Sequence, residues 1–320
     1  MGRHDRKTPD PRSIPRDWGL PIPGHSPPSP PMRHAGIDEA GYGPLLGPLV
    51  VASTAAETDD WAAFTSALLA HGVRDSKSIH KTGSLLPLAR VVVPGVQWLT
   101  GFPIETAADL FAVLGEKPED RANLPWLAGA EELLLPDLPP WDDLPAIPRG
   151  CAGHLVQPSV YNAERRAGIN KADLEWRRVG DLLSRVDGRP QDTVVDRLGG
   201  RRYYADLLKL QFPGLPVTIL EEANHLSRYD IAGHAVSFAV GGESVSPLTA
   251  LASCIAKYSR ELQMELLNRF WCGKLPWLKP TAGYPQDARR WLYQVGQGLA
   301  GGWRDELVRN DGEDLPWTPP

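Results

Sequence analysis

The fold of this chain is decided by one stretch near its N-terminus, Gly36-Ile37-Asp38-Glu39-Ala40-Gly41-Tyr42-Gly43-Pro44. Two adjacent carboxylates follow a short apolar approach and stand directly before a bend rich in glycine and proline. Neighbouring side chains of a strand point to opposite faces, but a bend just after the strand can turn both toward one point. Packing alone gives no reason to place two charges side by side. The stretch therefore indicates a site for a metal ion or a phosphate.

Composition narrows the class of protein and its location. The chain has 320 residues, 42% of them hydrophobic, and a formal net charge of -5, so it lacks the overall basic character of many nucleic-acid binders. A polyanionic partner would have to meet a local basic patch. The three cysteines form neither an even disulfide framework nor a zinc-binding spacing, which favours a reducing compartment.

The N-terminal region predicts neither secretion nor membrane insertion. It is charged and rich in proline, and it has no apolar core of the kind that a signal peptide needs. No stretch approaches the roughly 20 apolar residues that cross a bilayer. We expect a cytoplasmic protein without a membrane partner.

Three regions are predicted along the chain. Residues 1–31 are rich in proline and lack hydrophobic periodicity, which is typical of a disordered or polyproline-like lead-in. Residues 32–300 form the folded domain, interrupted at about 116–150 by an acidic insertion rich in proline and tryptophan, whose role stays open between a lid, an interaction surface and a solvated loop. Residues 301–320 are expected to be a C-terminal tail.

Strands and helices alternate after residue 170, which places the domain in the α/β class. Helices are predicted at 60–71, 170–186, 202–210 and 248–270, the last being the strongest. Strands are predicted at 44–52, pairing as a hairpin with the strand that contains Asp38, and at 91–93, 96–99, 193–196, 217–220 and 234–240.

Four acids stand at the end of an apolar strand or at the start of a helix, namely Asp38, Glu39, Asp196 and Glu243. Taken singly, Asp196 could be a helix cap or a salt-bridge partner, and Glu243 could simply favour a helix dipole. Together they would repel one another unless cations lay between them. Hard divalent ions, Mg²⁺ or Mn²⁺, prefer such oxygen ligands, and two ions about 4 Å apart can promote in-line phosphodiester cleavage.

The order of motifs resembles that of ribonuclease HII, the type 2 branch of the ribonuclease H superfamily. The resemblance runs from about residue 32 to about residue 295, and its first and fifth motifs are the specific ones. The motifs are Gly36 to Pro48 (GIDEAGYGPLLGP), Asp75-Ser76-Lys77, Ile169-Asn170 before a helix, Val194-Val195-Asp196, Gly242-Glu243 followed by residues 252–257 (ASCIAK), and Gly283-Tyr284-Pro285.

The resemblance implies a ribonuclease H-like fold, a mixed central β-sheet flanked by helices with a helical C-terminal part. It implies a metal-dependent endoribonuclease that cuts the RNA strand or ribonucleotide junctions of RNA/DNA hybrid duplexes through a two-metal mechanism. The family's acids fall on Asp38, Glu39, Asp196 and Glu243, which would bind Mg²⁺ or Mn²⁺, with two ions expected. Substrate contacts fall on the Gly41-Tyr42-Gly43 turn, on Lys77 and Lys257, and on Tyr284 as sensor of the 2′-hydroxyl.

Three departures from the family pattern leave the function open. Tyr42 stands where the family has arginine, and Glu243 stands where it has aspartate. After Asp196, the cluster Arg197, Arg201 and Arg202 is either a solvated helix start or a set of phosphate contacts that compensates for Tyr42. The alternatives are a weakened or inactive relative that binds hybrid or structured nucleic acid, and another metal-dependent nuclease on the same scaffold. We expect a monomer, without a protein partner that the sequence identifies.

Overall fold

The structure, a computed structural model, describes residues 31–80, 83–185, 191–296 and 301–310. The lead-in expected at 1–31 lies outside the described residues except for its last position, and so does the end of the chain from residue 311. Among the described helices, none is both long and apolar enough to cross a bilayer.

A mixed sheet of seven strands forms the centre of the described chain, in the order β3-β2-β1-β4-β7-β6-β5. Strand β4 is parallel to β1 and to β7, and the other neighbouring pairs are antiparallel. The strands are β1 (Met32–Ala40), β2 (Leu49–Thr58), β3 (Ile147–Val156), β4 (Gln191–Asp196), β5 (Val217–Glu222), β6 (Leu226–Ile231) and β7 (His234–Ala239).

Helices cover both faces of this sheet. They are α1 (Trp61–Ala70), α2 (Ser76–Ile79), α3 (Leu86–Thr100), α4 (Ala107–Val113), α5 (Pro118–Ala122), α6 (Pro158–Arg166), α7 (Lys171–Ser184), α8 (Ala205–Gln211), α9 (Pro247–Lys274) and α10 (Pro285–Val295), followed by a short helix at Arg304–Leu307. The mixed sheet with flanking helices and a helical C-terminal part confirms the predicted fold class.

The long helix α9 lies directly against the strand that contains the first acids. A Cβ atom built on Gly36 of β1 would stand 2.1 Å from the backbone nitrogen of Thr249, so only glycine permits this approach. The N-terminal turn of α9 is also tied to the sheet by hydroxyl groups. Thr249 donates to the carbonyl of Val194 at 2.9 Å, and Thr54 donates to the carbonyl of Leu248 at 2.9 Å.

Two apolar clusters, one on each face of the sheet, fix the side on which each helix lies. One contains buried side chains of α1, α3, α4 and α9, and the other contains those of α7 and α8. Ile37 and Val195, which precede the two aspartates on β1 and β4, belong to the α7 side. Because side chains alternate along a strand, the next residue on each of these strands points to the opposite face.

The strands predicted at 91–93 and 96–99 are wrong, because both segments lie within the single helix α3. A run of buried β-branched residues suits a strand or a buried helix equally well. The buried positions Leu88, Val92, Val96 and Leu99 recur at helical spacing, and Pro94 is accommodated inside the helix. Strand β6, which the sequence pattern does not predict, pairs with both β5 and β7.

The tryptophans of the acidic segment at 116–150 pack against the hydrophobic core. Trp126 and Trp141 are buried there, and the Trp141 ring stacks on His71 with centroids 4.8 Å apart. The first part of the predicted tail is likewise packed on the domain, because Val308 pairs with Leu46 in an isolated antiparallel bridge.

Candidate metal centre and nucleic-acid surface

The two aspartates lie at corresponding ends of two parallel strands. Asp38 is near the C-terminal end of β1, Asp196 is the last residue of β4, and Ile37 pairs with Val195 in the parallel register. The carboxyl ends of parallel strands are where α/β folds place their sites. Backbone amides hold both side chains, since Glu39 donates to Asp38 Oδ1 at 2.7 Å and Gly242 donates to Asp196 Oδ1 at 2.7 Å.

Asp38, Glu39 and Asp196 each offer a carboxylate oxygen, and these oxygens lie within 4.8 Å of one another. The bend after the strand is not what turns the adjacent pair together, because β1 continues through Ala40. The Ser253 hydroxyl of α9 is near enough to Asp38 to lower its pKa, whereas Glu175 of α7 raises the pKa of Glu39. The two side chains therefore belong to opposite faces and converge at their tips, where the longer side chain of Glu39 reaches across.

Burial and mutual repulsion raise the pKa values of these acids. The pKa of Asp38 lies well above its ordinary value because the group is buried and faces Glu39 and Asp196. Burial, Glu175 and Asp196 raise the pKa of Glu39 to about 8. Burial also raises the pKa of Asp196, although the amides of Gly242 and Arg197 oppose the change. Acids in this state bind protons or cations readily.

Glu175 is the acid that sequence reasoning missed. It lies on α7, is 0% exposed, and neither of its carboxylate oxygens has a hydrogen-bond partner among the described residues. Burial, Asp196 and Asp38 raise its pKa to about 8. One signal was present in the sequence: Glu175 precedes Val179, Leu182 and Leu183 by four, seven and eight positions, which places it on the apolar face of the helix.

Glu243, the fourth predicted acid, lies beside this group without joining the three mutually close carboxylates. It stands in the turn after β7, one residue after the glycine that binds Asp196. Its Oε1 atom is 4.0 Å from the ammonium nitrogen of Lys77, whose side chain is exposed. The structure therefore brings together two predicted site residues, Lys77 and Glu243, next to Asp196.

Buried arginines hold the glycine turn after Ala40. A Cβ on Gly41 would stand 2.9 Å from Cδ of Arg260, and Arg309 donates to the carbonyl of Gly41 at 2.5 Å and also to that of Pro44. Both arginine side chains are almost fully buried. Gly43 differs, since a Cβ added to it would have no atom within 4 Å and the residue is exposed. Its open side is available to a ligand.

The turn is also joined to the predicted hydroxyl sensor. The amides of Leu45 and Leu46 donate to the carbonyl of Gly283 at 2.8 and 3.1 Å. Tyr284 follows at the start of α10, about half exposed, with the Arg260 guanidinium 5.8 Å from its ring centroid. The glycine turn and Tyr284 thus share one framework, although they are far apart in sequence.

Tyr42 is covered by a positive charge from another element. The ammonium nitrogen of Lys171, the first residue of α7, lies 4.3 Å from the centroid of the Tyr42 ring. The Tyr42 hydroxyl lies against Gly199, in the loop after β4, where an added Cβ would approach it to 3.2 Å. The position where the resembled family has arginine therefore retains a cation, supplied through a cation–π contact.

The remaining predicted cations are mostly engaged with protein groups. The Arg197 guanidinium donates to the carbonyls of Asn224 and Ala223, and Arg201 donates to Asp173 at 2.6 Å. Lys257 pairs with Glu261 at 2.8 Å. Arg202 is exposed, with its guanidinium 5.5 Å from the ring centroid of Tyr203.

Comparisons with known proteins agree with this architecture. A family model described as Ribonuclease HII matches residues 35–86, the segment with Asp38, Glu39, the glycine turn and Lys77. A ribonuclease H2 subunit of Schizosaccharomyces pombe (strain 972 / ATCC 24843) is 25% identical over 281 residues, covering 86% of this chain but 63% of the relative. The chain thus spans less than two thirds of that protein's length.

A solved structure agrees in fold. The crystal structure of the ribonuclease H2 from Pyrococcus horikoshii OT3 superposes with a TM-score of 0.50 at 21% identity, covering 88% of this chain and 94% of that one. The sheet and its flanking helices thus form a ribonuclease H-like fold. Within that fold class, the chain is similar in sequence to ribonuclease HII over residues 35–86, the segment that contains the first predicted motifs.

Proposed function

We propose that this protein is a metal-dependent endoribonuclease that hydrolyses the RNA strand, or a ribonucleotide junction, within RNA/DNA hybrid duplexes. The observation that supports this most is the convergence of the Asp38, Glu39 and Asp196 oxygens within 4.8 Å at the ends of two parallel strands. The names of the family model and of the relatives add to it, since all describe ribonucleases H. The products would carry a 3′-hydroxyl and a 5′-phosphate, as the family resemblance implies.

The donor set fits a hard divalent cation. All three close groups are carboxylates, and a buried oxygen of Glu39, Oε2, has no hydrogen-bond partner among the described residues. Mg²⁺ and Mn²⁺ prefer such oxygen ligands over nitrogen or sulfur. Bound there, such ions would stabilise developing charge at the phosphate and lower the pKa of water. We propose that Glu243 completes the ligand set from the turn after β7.

The protein's own groups would hold the acids and the substrate in place. The Gly242 amide holds Asp196, and the Glu39 amide holds Asp38, so these two carboxylates would keep their positions when the ions change. The exposed side of the glycine turn would approach the nucleic-acid backbone at Gly43. Tyr284 would contact the 2′-hydroxyl, the group that distinguishes RNA from DNA.

Phosphate contacts need local cations because the chain is acidic overall. We propose Lys77 and Arg202 for this task, since both side chains are exposed, and Lys257 as a further contact beside the centre on α9. Because the Arg197 guanidinium is bonded to two carbonyls, we assign it to holding the turn after β4.

The second candidate function is a relative that binds hybrid duplexes without cutting them. Tyr42 in place of arginine and the position of Glu243 beside Lys77, outside the close group of three acids, favour it. Other properties are expectations. We propose a cytoplasmic protein that acts as a monomer, although the relative from S. pombe is by its name one subunit of an assembly.

The test is cleavage by the purified full chain with Mg²⁺, Mn²⁺ or EDTA. Three duplexes are compared: one with a single ribonucleotide, one with a ribonucleotide run and one of DNA alone. We expect cleavage only at ribonucleotides and only with a divalent ion. Asp38→Asn should abolish it, whereas the control Asp143→Asn removes an exposed carboxylate paired with His71 and should not.

Binding of the hybrid with no cleavage by the wild-type chain would support the second candidate. Equal cutting of the all-DNA duplex would instead indicate a nuclease of different substrate class.

A further inference from the structure

Glu175 is buried in a way that the surrounding protein does not explain. Its side chain is 0% exposed and both carboxylate oxygens lack a hydrogen-bond partner among the residues that the structure describes. An ionised carboxylate taken out of water without partners is among the most costly groups a core can contain. A side chain of this kind needs either a proton or a positive ligand.

In the part of the chain that the structure describes, the two other buried glutamates, Glu57 and Glu116, are paired directly with arginine. Glu116 accepts from Arg121 at 3.3 Å, and Glu57 accepts from Arg149 at 2.7 Å. The two cationic side chains near Glu175 contact other groups: Arg201 donates to Asp173, and Lys171 lies over the Tyr42 ring. These two charges lower the pKa of Glu175 only in part.

The strongest electrostatic neighbours of Glu175 are acids. The carboxylates of Asp196 and Asp38 raise the pKa of Glu175, and the carboxylate of Glu175 raises the pKa of Glu39. Glu175 therefore lies near the candidate centre on the α7 side of the sheet, outside the group of three oxygens within 4.8 Å, and its neighbours Leu174 and Trp176 pack in one cluster with Ile37 and Val195, which precede the two aspartates. With no arginine or lysine paired directly to Glu175 among the described residues, a divalent cation is the group that would stabilise it and its acidic neighbours in their ionised form.

We propose that Glu175 is a cation-facing ligand of the centre, which holds the divalent ion together with Asp38, Glu39 and Asp196, directly or through an ordered water. The inference rests on the proposed function, whose metal site it extends by one residue. Mg²⁺ usually keeps several waters in protein sites, so a carboxylate set back on a helix can act on it through one of them.

This role predicts opposite effects of one substitution on the metal-free and the metal-bound protein. Glu175→Gln keeps the shape of the side chain and removes its charge. Without metal, the variant should be more stable than the wild type at neutral pH, because folding no longer requires Glu175 either to keep a proton or to bury its charge. With metal, it should gain less stability, because an outer or inner ligand is lost, which typically weakens affinity by 10- to 100-fold.

The experiment measures metal binding without reference to cleavage. The EDTA-treated full chain is titrated with Mn²⁺ by calorimetry, and thermal unfolding is followed by circular dichroism with and without Mn²⁺. Glu175→Gln should bind Mn²⁺ about 10- to 100-fold more weakly and should melt at a higher temperature than the wild type in EDTA. Glu116→Gln is the matched control, since it also neutralises a buried glutamate but lies beside Arg121, outside the acid group.

The outcomes separate this inference from the proposed function. If Asp38→Asn loses Mn²⁺ binding but Glu175→Gln binds as the wild type does, the inference is overturned and the metal centre stands. If the wild type binds no Mn²⁺, both fall. If Glu175→Gln lacks a native spectrum, Glu175→Asp replaces it. This variant keeps the charge but shortens the side chain, so unchanged Mn²⁺ affinity would overturn the inference and weaker affinity would support it.

Discussion

Raising the pH should destabilise the metal-free protein, and the acid group supplies the reason. Burial and neighbouring acids raise the pKa of Glu39 and of Glu175 from 4.5 to about 8 in the folded state. Between these values the folded state keeps protons that the unfolded state has released. Their contribution to stability is therefore complete below pH 4.5 and is lost as the pH rises through about 8.

The magnitude follows from the same pKa values. A rise of about 3.5 corresponds to about 5 kcal/mol for one such group at 1.36 kcal/mol per pH unit, of which about 2 kcal/mol is lost between pH 6.5 and 8. Glu39 and Glu175 repel each other, so we expect a combined loss near the value for one group. Small domains are stable by only 5–15 kcal/mol, so a loss of this size is readily measured.

The window from pH 6.5 to 9 avoids interference from histidine. Burial lowers the pKa of His34, His154 and His234, which means that their effect on stability is complete once the unfolded state is neutral, near pH 6.5. Above that pH, the buried carboxyl groups dominate the change. The thiols of Cys151 and Cys254 have a pKa raised to about 12 by burial, and a reducing agent keeps them free of oxidation.

The assay is urea unfolding, followed by circular dichroism at closely spaced pH values, in EDTA and in Mg²⁺. In EDTA the free energy of unfolding should fall by about 2 kcal/mol from pH 6.5 to 8, and Glu39→Gln should reduce the slope. In Mg²⁺ the fall should be smaller, because the cation stabilises the ionised carboxylates. A free energy that is constant or rises over this range in EDTA would refute the reasoning.

Three substitutions test the framework around the centre. Gly36→Ala places a Cβ 2.1 Å from the backbone of Thr249, so urea unfolding should show a loss of about 3 kcal/mol or more as α9 is displaced. Gly43→Ala meets no atom within 4 Å, so stability should stay within about 0.5 kcal/mol while fluorescence anisotropy shows weaker binding of a hybrid duplex. Lys171→Gln removes the cation above Tyr42 and should lower the slope of log affinity against log salt by about one. Unchanged hybrid affinity in Gly43→Ala, or an unchanged salt slope in Lys171→Gln, would remove these residues from the binding surface.

The sequence predicted the parts of the fold in which local pattern and tertiary environment agree. The hairpin of β1 and β2, the strand that ends at Asp196 and the long helix α9 are present as expected. Each combines an apolar run of typical length with a polar or glycine-containing boundary, so local propensity and burial give the same answer. That agreement also places Asp38 and Asp196, whose positions follow from strand ends.

The missed elements are those in which tertiary packing decides between equal local alternatives. The valine-rich segment of α3 is a helix because it packs against α9. A run of β-branched residues does not by itself distinguish a buried helix from a strand. Strand β6 is short, its residues alternate between buried and more exposed positions, and it contains charged residues. Pairing with β5 on one side and β7 on the other stabilises it. Propensity alone could not separate it from a loop.

The two remaining acids show the same division within the site. Motif order predicts Glu243, because this residue follows a strand whose end lies near Asp196. Motif order does not determine the direction of its side chain, which lies beside Lys77. Glu175 does not lie at the end of a strand, so the strand pattern does not predict it. Helix α7 brings it to the centre only because the apolar face of that helix packs on the sheet, with the glutamate one turn before Val179 on the same face. Packing of an apolar helical face buries any acid that lies within it, and a buried acid is stabilised only by a proton, a cation or a paired base. An acid in such a position therefore indicates a site even when no motif contains it.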